Sequence, residues 1–465
     1  MSERVANRAR AVGPKMFTLL LALLSAAASA RGEDSIRYVE PDAETGSSKA
    51  VVVGPAPLAH TTQLFPLDAQ GKLVGKGRPA EQAARVLDNI ALALKEAKSG
   101  PERIVKLNVY AARLDVLGEV RKALAERFRG GAKPAVSFVV GALPQPDALV
   151  AMDAVAVASP DPGGAVKLLR SDALAKAAAG SHVAILPAGP RVYVAGQAEK
   201  GASLADATRR TLASLRATLN HLGLDDSRVV QLKAFVTPMT GADAVRKEMA
   251  AFFGERPVPP VVLVEWESSL PIEIELIAAG KGEPGEKAEA VEYLTPPGMK
   301  ASPVFSRVAR VNHGTTIYTA GLYGTKSGSG EEQIEEIFAE LRRLMKATGS
   351  DFRHLAKATY YVSDDEASRK LNELRPKYYD PRRPPAASKA MVPGVGMGGK
   401  SITLDMIAVP VPGQERPPGP GQGAAPQPAD ELLRKARSVL AQIEGEIAVP
   451  GLKEPVEVLR DRWGV

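Results

Sequence analysis

One helical segment recurs three times at nearly constant spacing, and any fold for this chain has to accommodate that recurrence. In ARVLDNIALALKEA (84–97) the apolar residues Leu87, Ile90 and Leu94 fall at helical intervals. Leu212, Leu215 and Leu219 repeat the pattern, as do Phe338, Leu341 and Met345, at steps of 125 and then 126 residues. The same steps carry through the downstream elements. A strand comes next (IVKLNVYAA, VVQLKAFVT, LAKATYYVS), in which Lys106, Gln231 and Lys357 correspond. Then come a second amphipathic helix, a proline at 134, 259 and 385, and a closing strand (ALVAMDAVAVA, PIEIELIAA, SITLDMIAV). Generic amphipathicity does not hold one register across four elements, so the chain reads as tandem copies of one unit. VYVAGQ (192–197) and IYTAGL (317–322) match as opening strands, while LAHTTQ (58–63) matches them only at its end.

Each copy runs strands, helix, strand, helix, strands. That order predicts an α+β domain whose sheet carries two helices on one face. The register bounds the copies at about 33–160, 165–280 and 288–412. Beyond them, 413–428 is a Pro/Gly-rich linker, and 429–465 begins with one more amphipathic helix.

The first 30 residues carry the three parts of an export signal: a basic start, the apolar run Met16–Leu24, and the small residues Ala28-Ser29-Ala30. The apolar run is shorter than the ~20 residues of a membrane-spanning helix, so export without stable membrane insertion is expected, from a start at Met1 or Met16. Of the formal net charge of +7, Arg4, Arg8, Arg10 and Lys15 against Glu3 account for three. The remainder is too thin to suggest a nucleic-acid partner. With no cysteine, disulfides, thiolate chemistry and Cys-ligated zinc are excluded, and the five scattered histidines offer no paired ligand spacing. No metal and no cofactor is expected.

The run of helix, V-x-K-type strand, second helix, proline-led strand and closing E-I-E-x-I-A strand resembles the Rid/YjgF family, also called endoribonuclease L-PSP; Ile272–Ala279 is especially similar. The resemblance implies a chorismate-mutase-like fold and trimers with clefts between subunits, which three linked copies would build as an intrachain pseudo-trimer. It also implies an imine or enamine deaminase whose arginine, in a P-x-R-S-type stretch, grips a substrate carboxylate; a guanidinium suits that task because its planar fork binds carboxylates bidentately. Here the arginine position holds Val136, Val261 and Ala387. Phe305 stands where active relatives carry a cleft tyrosine. The acid on the closing strand, which in the family positions or protonates the attacking water, corresponds to Asp153, Glu275 and Asp405.

Three functions remain open at this point. The first is a small-molecule-binding protein with an apolar or uncharged ligand in the inter-domain clefts, the three acids near their floors. The second is an imine deaminase-type hydrolase using another cation, for which Lys106 and Lys357 are the nearest candidates, although lysines at these positions read better as solvated strand residues. The third rests on VPGLKEPVEVLRDRWGV (449–465), which resembles the opening of the penicillin-acylase family and suggests a truncated fusion or an acylase encoded adjacent to this chain. A last motif, Gly394 to Ser401, matches G-x-x-x-x-G-K-[ST], but a strand-like SITLDMIAV comes after it instead of a helix, so it reads as a glycine-rich hairpin and not a phosphate loop.

Overall fold

All three repeats lay down their elements in one order. Repeat 1 comprises β1 (Ile36–Asp42), β2 (Ser47–Val53), β3 (Leu58–Thr61), α1 (Pro79–Glu96), β4 (Ile104–Ala111), α2 (Leu117–Arg127), β5 (Ala135–Val140) and β6 (Val150–Val157). Repeat 2 comprises β7 (Lys167–Leu169), β8 (Val183–Leu186), β9 (Arg191–Gln197), α3 (Leu204–His221), β10 (Val229–Val236), α4 (Ala242–Phe253), β11 (Val261–Glu265) and β12 (Ile272–Ala279). Repeat 3 comprises β13 (Val291–Leu294), β14 (Val308–Val311), β15 (Thr316–Thr319), α5 (Gly330–Thr348), β16 (Leu355–Val362), α6 (Asp365–Tyr378), β17 (Ala386–Met391) and β18 (Ile402–Ala408). These come from a computed structural model of the chain, which describes residues 36–159, 164–176, 179–282, 288–312, 314–326 and 328–414. The expected export signal, the linker past residue 414 and the 429–465 segment with its acylase-like run lie outside the described residues.

The first helix of each repeat starts by a different local device. α1 has Pro79 in its first turn, where a missing N–H costs nothing. At α3 the Ser203 side chain accepts from the Asp206 amide. α5 has a full capping box between Ser329 and Glu332, and it ends at Gly349, whose φ of 79° suits glycine. Each helix pair buries its apolar stripe against its own sheet, giving three separate helix–sheet cores centred on Ile90, Leu215 and Phe338.

The sheets are not self-contained. The second strand of each repeat pairs into the preceding repeat: β8 of repeat 2 pairs with β3 of repeat 1, and β14 of repeat 3 with β9 of repeat 2. β2 of repeat 1 closes the cycle on β15 of repeat 3, from Val53–Thr316 to Ala50–Thr319. β1, β7 and β13 each add one further strand outside these. The result is a six-stranded sheet (β11-β10-β12-β9-β14-β13) and a twelve-stranded one, in which β2, paired with β15 of repeat 3, meets β5 of its own repeat through the single pair Ser48–Ala135. The described residues fall within one compact unit.

The glycine-rich stretch 394–401 corrects one expectation. A strand comes after it, as its sequence suggests, but β17 and β18 flank β16 on opposite sides, so the stretch crosses over β16 and is not a hairpin.

Candidate functional site

The faces of the three sheets turned away from the helices meet around a pseudo-threefold axis. Two apolar layers form there, one around Tyr193, Ile277 and Tyr318 and the other around Tyr110, Phe235 and Tyr361. A polar layer separates them. Strand alternation builds it: Lys106, Gln231 and Lys357 occupy equivalent positions on β4, β10 and β16. Two residues on, Asn108, Lys233 and Thr359 stand directly opposite Asp153, Glu275 and Asp405 of their own repeats.

The three acids proposed from the sequence are therefore gathered at one cavity on the axis and are not distributed over three clefts. Lys106 and Lys357 likewise are not solvated. Lys106 of repeat 1 forms an ion pair with Asp405 of repeat 3 at 3.0 Å, and Lys357 of repeat 3 pairs with Glu275 of repeat 2 at 2.8 Å. The third link of this cycle would join position 231 to Asp153, but Gln231 has no charge to give. Asp153 instead accepts from the Tyr110 hydroxyl (2.6 Å) and the Asn108 amide (3.0 Å). Burial pushes the Asp153 carboxyl up, against the pull of Lys233. Burial works to lower the Lys233 ammonium too, but Tyr361 and the carboxylates of Glu275, Asp153 and Asp405 overcome it and hold it above the ordinary lysine range. Three lysines face three acids, so the layer is electrically balanced. Its cavity is about 50 Å³. Water takes up roughly 30 Å³ per molecule, whereas metabolite pockets run to ~300 Å³ and above. The chamber is sized for one or two waters and serves to bind the repeats to one another.

The positions expected from the resemblance to stand in for the arginine lie elsewhere. Val136 and Ala387 are buried in the helix-facing cores of repeats 1 and 3, and Val261 packs half-buried against that of repeat 2. Phe305 is half-buried between the core of repeat 3 and the axial apolar layer, with the Arg307 guanidinium 4.8 Å from its ring centre. What these positions offer to the clefts is backbone, and two of the three clefts are zipped through it. Between repeats 1 and 2, Gln63 donates its amide to Val261 O (3.0 Å), and its side chain bonds both Leu263 O and Leu263 N. Between repeats 3 and 1, Gly321 N donates to Val136 O at 3.0 Å.

The cleft between repeats 2 and 3 differs. There Gly196 N donates to the Ser388 hydroxyl at 3.2 Å. Beside it lies Glu273, two residues before Glu275 and so on the same face of β12. A Cβ at Gly196 would come within 2.0 Å of Glu273 Oε1, so the glycine makes room for the carboxylate. Burial, then the charge of Glu275, push the Glu273 carboxyl up to about 7, partly offset by the Ser388 hydroxyl, Lys357 and Lys389. The equivalent positions are Ala151, fully buried in the apolar layer, and Thr403, whose hydroxyl donates to Leu322 O at 3.0 Å. Of the three junctions between repeats, the one between repeats 2 and 3 thus carries an acid at this position, its carboxyl pushed up to about 7. Sequence reasoning passed over Glu273. The available signal was the doubled acid of I-E-I-E, of which only the second member recurs in all three repeats.

Comparison with known proteins agrees with this architecture. The profile of the family described as Endoribonuclease L-PSP matches residues 38–158, 171–280 and 299–409. A RutC family protein of Pyrococcus abyssi is 36% identical over 93 residues, which cover 20% of this chain and 72% of that protein. The RutC family protein UK114 of Drosophila melanogaster is 32% identical over 91 residues, covering 20% of this chain and 65% of its own length. Among solved structures, a Rid family protein of Yersinia pestis is 25% identical and covers 26% of this chain and 98% of its own, with a TM-score of 0.25. With three matches that together span most of its length, the chain belongs to the Rid/YjgF, or endoribonuclease L-PSP, family and carries three tandem copies of its domain.

Proposed function

We propose that this protein is a divergent Rid/YjgF-type small-molecule-binding protein with a single operative cleft, the one between repeats 2 and 3. Glu273 carries this reading: it is the one acid at its position in the three repeats, and it sits beside a hydroxyl, under a glycine that clears space for it. With Val136, Val261 and Ala387 at the arginine positions, the cleft lacks the family's cation for gripping a carboxylate. An uncharged ligand offering an N–H or O–H to the Glu273 carboxylate suits it better. Thermal-shift screening of small polar and apolar metabolites on the full chain tests this. Stabilising compounds should lose their effect in Glu273→Gln and Ser388→Ala; a screen in which no ligand class stabilises the wild type removes the reading.

A second reading, hydrolysis of enamines or imines, is favoured by the same carboxyl, because a group titrating near 7 suits general acid–base work at neutral pH. Ammonia release from freshly generated 2-iminoacids above the buffer rate, lost in Glu273→Gln, would support it; a rate equal to buffer eliminates it. Either activity is proposed to operate after export. N-terminal sequencing of the mature protein should then begin just past Ala30.

A further inference from the structure

At two facing positions of the helix–sheet interface, repeats 1 and 2 are apolar: Leu124 with Phe138, and Met249 with Leu263. Strand register fixes the counterpart in repeat 3. Phe138 lies opposite Val109, Leu263 opposite Ala234, and Lys389 opposite Tyr360, at matching points of three parallel pairs. Along the second helix, the buried Val120, Val245 and Leu371, four residues earlier, make Leu124, Met249 and Arg375 equivalent. Repeat 3 therefore puts Arg375 and Lys389 where its siblings put hydrocarbon.

Neither cation has been given an acid. Arg375 is only 5% exposed, donates to Asn372 Oδ1 at 2.5 Å, and leaves its Nε without a hydrogen-bond partner. Its guanidinium carbon stands 4.9 Å from the Tyr360 ring centre. Lys389 Nζ donates to the Ser368 hydroxyl at 2.8 Å and reaches the same Asn372 oxygen at 3.4 Å. Two positive groups thus share one amide oxygen, and among the described residues no carboxylate lies within ion-pair distance of either. The acids near this part of α6 are engaged elsewhere: Glu373 with Arg369 and Lys370, and Glu366 with the Gly330 amide. Glu273, which acts on Lys389 only through its field, bonds Ser388 and so lies toward the opposite face of β17. A guanidinium keeps its proton even when buried, and an uncompensated buried charge is costly, more so beside a like charge. The arrangement calls for an anion, and it is reachable: Asn372 is exposed, and Ser368 and Lys389 are half-buried.

We propose that Arg375 and Lys389, with Asn372 and Ser368 at the mouth, form a site for the oxyanion group, carboxylate or phosphate, of a small molecule. The fork of Arg375 supplies the directional contact and Lys389 the second charge. The site uses residues other than those of the Glu273 cleft and does not depend on that reading.

Inorganic phosphate and acetate serve as probes on the full chain, compared with chloride at equal ionic strength by thermal shift and titration calorimetry. At least one probe should raise the Tm of the wild type. Arg375→Met combined with Lys389→Leu copies the residues of repeat 2 and should abolish that response while leaving the far-UV spectrum unchanged. Lys389→Gln alone, at a half-buried position, should weaken the apparent Kd at least tenfold. A response to acetate alone assigns carboxylates, to phosphate alone phosphates, and to both a general oxyanion site. Absence of any response in the wild type, or an equal response in wild type and variants, overturns the site.

Discussion

A glutamate carboxyl ordinarily ionises near 4.5, whereas burial and the charge of Glu275 hold Glu273 near 7. Between those values the folded protein keeps a proton that the unfolded chain has released. The stability this group contributes is therefore full below about pH 4.5 and is lost as pH rises through about 7. Glu273→Gln removes the titration. Denaturation of the two proteins should give similar stabilities at pH 5 and favour the variant at pH 8, by on the order of 2 kcal/mol; parallel pH profiles would place Glu273 in water and contradict its burial. The alternation of IEIELIAA shows that Glu273 and Glu275 share a face. It does not show that this face turns toward other repeats, because on an isolated sheet an acid-bearing face reads as the solvated one. The same inference made Lys106 and Lys357 look exposed.

At the scale of elements, the polar layer couples strands of different repeats. Asp405→Asn should cost about 3–5 kcal/mol, since it leaves Lys106 buried without its partner. Lys106→Met should cost a comparable amount, and Lys106→Met with Asp405→Leu should recover most of it. A double-mutant cycle measured by denaturant unfolding reads this coupling, and simple additivity of the single losses would mean that the pair does not act as one. Some strands were legible to within a residue or two: IVKLNVYAA became Ile104–Ala111, and PIEIELIAA became Ile272–Ala279, whereas the first helices begin about five residues before the segments read from their periodicity. Periodicity is a local property, so it survives without tertiary context. The choice of partner for β2, β8 and β14 is not local. Each leaves its own repeat for the one before it, and nothing in a four- to seven-residue apolar strand names its neighbour. For the same reason, the glycines of 394–401 announced a loop without revealing that it spans an intervening strand.

The molecule as a whole should unfold as one. Every repeat has a sheet completed by the next and an axial charge neutralised by another. In a Trp463→Phe background, Trp266 reports on repeat 2, and its fluorescence transition should coincide with the far-UV transition of all three repeats. Separate transitions would show that the repeats are independent. Residues 165–280 alone lack β14 to cover β9 and lack the Lys357 that neutralises Glu275. That fragment should fail to give a folded monomer by size exclusion and circular dichroism. Three copies arranged as a pseudo-trimer were expected from register and resemblance; the strand exchange that closes the ring emerged only once the sheets were assembled. Joining the copies end to end has a genetic consequence as well. In a ring of identical chains, one codon sets all three equivalent positions, so every change is made in triplicate. Here each position has its own codon and can drift alone, so Ala151, Glu273 and Thr403 can share one address, and three axial acids can be balanced by two lysines on one level and a third, Lys233, on the next.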